Sequence, residues 1–226
     1  LYLLPFLLCI EKKYLKWMLI SIVVVAVLSS FKRGGTITVF ASLLIYYYVN
    51  NIKLTGGSSK MLYLLLLLFV VFLVVSFLNS TDNLIIEHLS GRFINIKDDN
   101  GSGRSEAISE ALLQFTNSDV ISMLFGHGWN MVEQTSKFGI SAHNDFVECL
   151  YDFGIIGFIL LLRVLFMAYR YLKSLIANHS MYAAPFAASC TIFMLNTMVS
   201  HILIYPYYLL LFMAFISFVV YSSSNT

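Results

Sequence analysis

The sequence predicts an all-α polytopic membrane protein with one large extracytoplasmic loop. Apolar residues make up 59% of the 226 and mean hydropathy is +0.81, more than a soluble core requires. Apolar runs recur at lengths suited to crossing a bilayer as helices. One long polar stretch, residues 79–153, divides these runs into two groups. Three regions follow: transmembrane helices at 1–78, the first of them truncated, the outer loop at 79–153, and C-terminal transmembrane helices at 154–226.

The opening run LYLLPFLLCI is too short to span a bilayer, which takes ~20 helical residues, and is expected to be the tail of a span whose earlier part lies outside this sequence. Glu11, Lys12, Lys13 and Lys16 form a charged hinge before a span at 15–29. A turn at 30–35 leads to a span at 36–49, and the Asn-Asn, Gly-Gly and Ser-Ser pairs of 50–60 read as a polar linker. A run without charge at 61–78 is the next span. Beyond the loop, further spans are expected at 154–171, 183–202 and 207–221, before a solvated tail.

Lys and Arg in short loops are retained on the cytoplasmic side. Alternate loops carry Lys12, Lys13 and Lys16, then Lys53 and Lys60, then Arg170 and Lys173, whereas the opposite short loops carry only Lys32 and Arg33. The long loop therefore faces outward. It holds eleven acids against four cations, a formal charge of −7, which makes the outer surface acidic.

Within the loop, residues 105–115 place Ala107, Ile108, Ala111, Leu112 and Phe115 on one stripe, with Glu106, Ser109, Glu110 and Gln114 away from it. This is an amphipathic helix expected to lie along the membrane surface or to roof the bundle. Asn117-Ser118-Asp119 ends it, and Phe125-Gly126-His127-Gly128-Trp129 makes a tight turn whose glycines can take φ > 0.

The loop meets the next span at His143-Asn144, followed after nine residues by Gly154 and then by Gly157. If the chain is helical from His143 onward, Gly154 lies about three turns and ~16 Å further on the same face. His143 would then sit near the bilayer surface, above two positions without side chains where another helix or a lipid tail can approach. An imidazole titrates near 6.5, which suits it to acid–base work at neutral pH. Guanidinium groups pair bidentately with phosphate oxygens. Arg33, at the end of a span, and Arg104 or Arg92, in the loop, are the candidates in an otherwise acidic region.

The three cysteines, Cys9, Cys149 and Cys190, have no CxxC spacing and read as small hydrophobes, neither a disulfide framework nor a zinc site. His143, Asp145 and Glu148 lack the spacing of a metal site. No Gly-rich phosphate loop joins a strand to a helix, so neither nucleotide nor nucleic acid is expected as a partner. His127, between two glycines, reads as structural. Trp129, Phe93 and Phe138 suit either sugar stacking or an interfacial aromatic belt. Arg163, nine residues inside its span, lines a cavity or reaches towards the inner surface.

The pattern from His143-Asn144 to Gly154 and Gly157, at the mouth of a span after a large outer loop, resembles the signature of the O-antigen ligase and O-antigen polymerase superfamily. Gly126-His127-Gly128-Trp129 resembles that family's Gly-x-Gly-aromatic turn. Gly103-Arg104-Ser105 and the stretch from Ser30 to Gly34 resemble its two arginine sites. The resemblance implies a GT-C-like transmembrane helix bundle acting on the outer face of a bacterial inner membrane. It implies a glycan on undecaprenyl pyrophosphate as donor and a sugar hydroxyl, on another glycan or on lipid A-core, as acceptor, with no cofactor and no metal. It assigns His143 and Asn144 to catalysis, Arg33 and Arg104 or Arg92 to the pyrophosphate, and Gly154 and Gly157 to a lipid groove. The alternative, from another class, is a transporter or flippase of lipid-linked oligosaccharides. That reading calls for binding groups near the bilayer midplane and internal repeats, whereas here the groups cluster at one surface and no repeat is evident.

Overall fold

The computed structural model describes residues 1–30, 33–56, 104–137, 139–200, 202–203 and 205–224. The expected span at 61–78 and the residues Arg92 and Phe93 lie outside these, as does Phe138. Every regular element among the described residues is helical. The helices are α1 (Leu4–Leu8), α2 (Lys13–Ser29), α3 (Arg33–Tyr47), α4 (Arg104–Thr116), α5 (Val120–Phe125), α6 (Met131–Thr135), α7 (Asp145–Ala177), α8 (Ala183–Val199) and α9 (Pro206–Ser224).

Among the described residues, two helical stretches are long and apolar enough to cross a membrane, Asp145–Ala177 and Tyr207–Ser224; Ala183–Val199 is apolar but shorter. The chain falls into two compact units. The first comprises Leu1–Lys97, Leu172–Phe193 and Leu211–Thr226. Its core joins Leu4 and Leu8 of α1 to Ile20, Ala188 and Ile192. Aromatic pairs reinforce it, with Phe6 edge-on to Phe215 at 4.9 Å between ring centroids and Phe193 stacked on Phe212 at 4.2 Å.

The linker expected from residue 50 starts later than its composition indicates. α3 runs on into a π-helical stretch, Tyr48–Leu54, that contains both asparagines. Asn50 Nδ2 donates to Asn51 Oδ1 at 2.8 Å and Thr55 Oγ1 donates to Asn51 O at 2.7 Å. These polar groups bond to one another and to the helix's own carbonyl, so they do not stop the helix at residue 50.

The second unit comprises Asp98–Tyr171 and Met194–Leu210 and contains the loop from Asp98 onward, the His143 segment and most of α7. Its small core gathers Ala111, Val132, Ala142 and Tyr151, with Ile108, Phe115, Met131 and Val147 against it. The amphipathic stripe of α4 is thus buried on the loop's own elements, with Ala107 and Ala111 buried; Leu112, expected on that stripe, is 40% exposed.

Candidate functional site

The loop helices before His143 are short, and side chains, one local and one distant, supply their caps. Asp119 opens α5: its Oδ1 accepts from Ile121 N at 2.8 Å and Ser122 N at 3.0 Å, and its Oδ2 from Ser122 Oγ. The Ser122 bonds hold this carboxyl below the usual carboxylate range. Asn117-Ser118-Asp119 therefore does more than end α4, because its last residue starts the next helix. α6 follows Asn130, a left-handed residue with no side-chain cap of its own. Its cap is Asp152, about twenty residues later, which accepts from Asn130 N at 2.8 Å, Met131 N at 3.0 Å and Val132 N at 3.2 Å.

α7 is not continuous from His143. His143 stands before the helix at φ 50, and at Gly154 the backbone leaves helical geometry at φ 67, ψ −170. The expectation that Gly154 shares a face with His143 along one unbroken helix is therefore corrected. The cause is the Gly126 turn. A side chain at Gly154 would meet the Leu124 carbonyl group at 2.5 Å and Gly126 N at 2.6 Å, and one at Gly126 would collide with the Asp152 carbonyl. His127 N donates to Tyr151 O at 3.1 Å and Gly128 N to Asp152 O at 3.0 Å. The break frees carbonyls of the preceding turn, and the loop's N–H groups satisfy them. The close approach that Gly154 permits is made by the chain's own turn, and at Gly157 the neighbour is the Phe153 side chain.

His127 locks this junction. Its Nδ1 donates to Tyr151 O at 3.1 Å, its Nε2 meets Ser118 Oγ at 2.9 Å, and its ring stacks on Tyr151 at 4.2 Å. A carbonyl only accepts, so Nδ1 carries the proton. The structural role expected for His127 is what its contacts show.

Residues 145–153 carry three carboxylates, Asp145, Glu148 and Asp152, and belong with the loop; the apolar stretch starts at Gly154. These acids are 0%, 2% and 2% exposed, so they do not contribute to the acidic outer surface to which the sequence assigns them. Their spacing puts them on one face of the helix, and each holds a different segment by its backbone N–H groups. Asp145 accepts from Ile202 N at 3.0 Å and Leu203 N at 3.2 Å, in the turn after α8. That turn replaces the last residues of the span expected to reach 202. Glu148 Oε1 accepts from Ser141 Oγ and from His143 N at 3.0 Å, while its Oε2 is buried without a hydrogen-bond partner. Burial pushes the Asp145 and Glu148 carboxyls up to about 7, against the N–H donors that favour the ionised form. Asp152 is raised as well, again by burial.

His143 is thus a left-handed residue held at its N–H by Glu148. Such a conformation costs a non-glycine residue about 1–2 kcal/mol and persists where the surroundings impose it. Asn144 accepts at Oδ1 from Phe146 N at 3.1 Å and Val147 N at 3.3 Å, so it caps α7. The pair His143-Asn144 is a presenting residue followed by a helix cap.

Residues 17–162 match the family model described as O-antigen ligase, well over half of the chain. The chain belongs to the O-antigen ligase family. Neither the curated proteins nor the solved structures include a match to it. The O-antigen ligase family is integral to the membrane and its function is of the glycan-transfer type. The matched stretch includes the Gly126 turn, His143-Asn144 and the Gly154 break.

Of the residues singled out from sequence, the second unit brings together His143, Asn144 and Gly154 with the Gly126 turn. Arg33 is the first residue of α3 in the first unit and Arg104 the first of α4 in the second; their side chains, and all of Arg92, lie outside the described residues. Asp145 and Glu148 act as anchors for backbone N–H groups, and no group of three or more His, Cys, Asp or Glu side chains converges as a metal site among the described residues. Sequence reasoning missed the three anchoring carboxylates, whose signal was their spacing along one helix face. Arg163 is exposed on α7 amid exposed Leu162 and Val164.

Proposed function

We propose that the chain transfers a glycan from undecaprenyl pyrophosphate to a sugar hydroxyl, on the outer face of the bacterial inner membrane. The observation that carries this reading is His143 itself, held left-handed by Glu148 at the start of a helix that becomes an apolar span, in a chain of the O-antigen ligase family. The acceptor oxygen attacks the anomeric carbon of the donor sugar, and the imidazole takes the hydroxyl proton as the new C–O bond forms. The bond to pyrophosphate breaks, and the leaving group departs with the electron pair. Arg33 and Arg104, or Arg92, hold its charge. No cofactor enters the balance. The acceptor is either a second lipid-linked glycan or lipid A-core. In this reading the segment 79–153 carries the chemistry between two sets of spans, 1–78 and 154–226, arranged as a GT-C-like bundle. The polar cluster at 141–152 precedes the apolar stretch of α7, which suits surface chemistry better than transport through the midplane.

The test is His143→Asn in a strain lacking the native gene. Asn tolerates φ > 0 at least as well as His, so the backbone is kept while the imidazole is lost. Expected is normal membrane insertion with loss of surface glycan, seen on gels as single repeats for a polymerase or as unattached long chains for a ligase. Wild-type ladders from the variant overturn the assignment.

A further inference from the structure

The polar face of α4 does not simply meet water. It forms one wall of a groove of about 780 Å³, entirely within the second unit and closed on the other side by Thr135, Lys137, His127 and Tyr151. That volume falls within the ~300–1,000 Å³ of small-ligand sites. We infer that this groove binds saccharide, taking several hydroxyls of the glycan that the site at His143 handles; the inference rests on the glycan-transfer reading above.

The walls are braced before any ligand arrives. Gln114 spans the groove, its Nε2 donating to Thr135 O at 3.2 Å and its Oε1 accepting from Thr135 Oγ1 at 3.0 Å. Glu110 accepts from Lys137 N at 3.2 Å and 3.3 Å with its two oxygens. The stacked pair of His127 and Tyr151 is fixed at both imidazole nitrogens. A groove already braced in this way loses little conformational entropy on binding.

The lining decides the ligand class. It offers carboxylate acceptors at Glu106 and Glu110, an amide at Asn117 that makes no side-chain hydrogen bond to a described residue, and the ammonium of Lys137. An anion would face two carboxylates. An apolar ligand would bury these groups unpaired, at about 1–3 kcal/mol each. Most of the exposed lining is apolar, with Leu113 and the stacked rings of His127 and Tyr151 on it, and the carboxylates, amides and hydroxyls are set among it; a sugar ring presents C–H faces to the first and hydroxyls to the second. The groove has room for more than one such ring.

The experiment uses the full chain in lipid nanodiscs, titrated calorimetrically with oligosaccharide released by mild acid from the host's surface polysaccharide. Ser109→Trp fills the groove without removing a bond between elements, since Ser109 Oγ bonds only Ser105 O of its own helix. Asn117→Ala removes an amide that braces nothing else, so its effect is not one of misfolding. Expected is binding weakened about ten-fold or more by Ser109→Trp and about three- to ten-fold by Asn117→Ala. A glycan that enters as acceptor raises the acceptor KM in Ser109→Trp; one that enters on its lipid carrier raises the donor KM. Either result supports the groove. Wild-type protein that transfers glycan but binds no free oligosaccharide, or both groove variants binding as wild type, overturns the groove alone. His143→Asn that transfers normally overturns the catalytic reading while leaving the binding result to stand.

Discussion

Ahead of Gly154, α7 buries three carboxylates; beyond it, the same helix exposes Ile155, Ile156, Ile159, Leu160, Phe166 and Met167. In water both halves would be wrong. The second is right in hydrocarbon, where exposed apolar side chains cost nothing and the backbone ladder is internally satisfied. The first is right because its buried acids meet N–H groups that short helices and turns leave without partners. The comparison teaches that the break at Gly154 separates two solvents. On one side the helix is held by polar bonds to loops, and on the other it presents an apolar surface long enough to suit a bilayer.

The largest effect should come from Asp152, which alone serves three N–H groups at the start of α6. Asp152→Ala leaves them without their acceptor in a buried site and should cost about 2–4 kcal/mol. The result would be a lower thermal midpoint and faster amide exchange at residues 130–132. Unchanged exchange there would show that α6 does not depend on α7 for its cap. A carboxylate anchor is then specific to the loop half of the helix, for no apolar side chain beyond Gly154 has a role of this kind to lose.

A pH series sharpens the comparison next. The Asp145 and Glu148 carboxyls lie at about 7 when folded, above the unfolded values of about 4. Between these values the folded protein holds protons that the unfolded chain has shed. The contribution of these groups is therefore complete below about pH 4 and is lost as pH rises through about 7. The thermal midpoint in nanodiscs should fall from pH 5 to pH 8, and Glu148→Gln should flatten the slope. A midpoint that rises over this interval would mean that the N–H donors outweigh burial.

How much of this was legible in the sequence depends on how local the cause is. The α4 stripe and the Gly126 turn could be read because periodicity and glycine carry their own signal. α6 could not, for its cap lies about twenty residues away and its own first residue has none. The break at Gly154 was hidden for a similar reason: the apolar run beyond it reads as one continuous span, and only the backbone of Leu124–Gly126 pressing on that position forces φ to 67. The carboxylates were visible as charges, and their spacing was visible as a face. Their burial was not, because it depends on segments at 130–132, 141–143 and 202–203 folding back onto one helix. The arginine assignments rest on sequence alone.

The smallest effect separates the two residues of the His-Asn pair. Asn144 caps α7, and losing a cap costs about 1 kcal/mol, which Asn144→Ala should show as a small drop in thermal midpoint. Asn144→Ser restores an oxygen able to accept from the same N–H groups. If the residue contributes by setting the first turn of α7, and through it the position of Glu148 under His143, the serine variant should recover both the midpoint and most of the glycan transfer that alanine loses. Recovery of the midpoint without recovery of transfer would instead give the Asn144 side chain its own contact with the reacting sugars, and would place the chemistry on two adjacent residues where the fold otherwise requires only one.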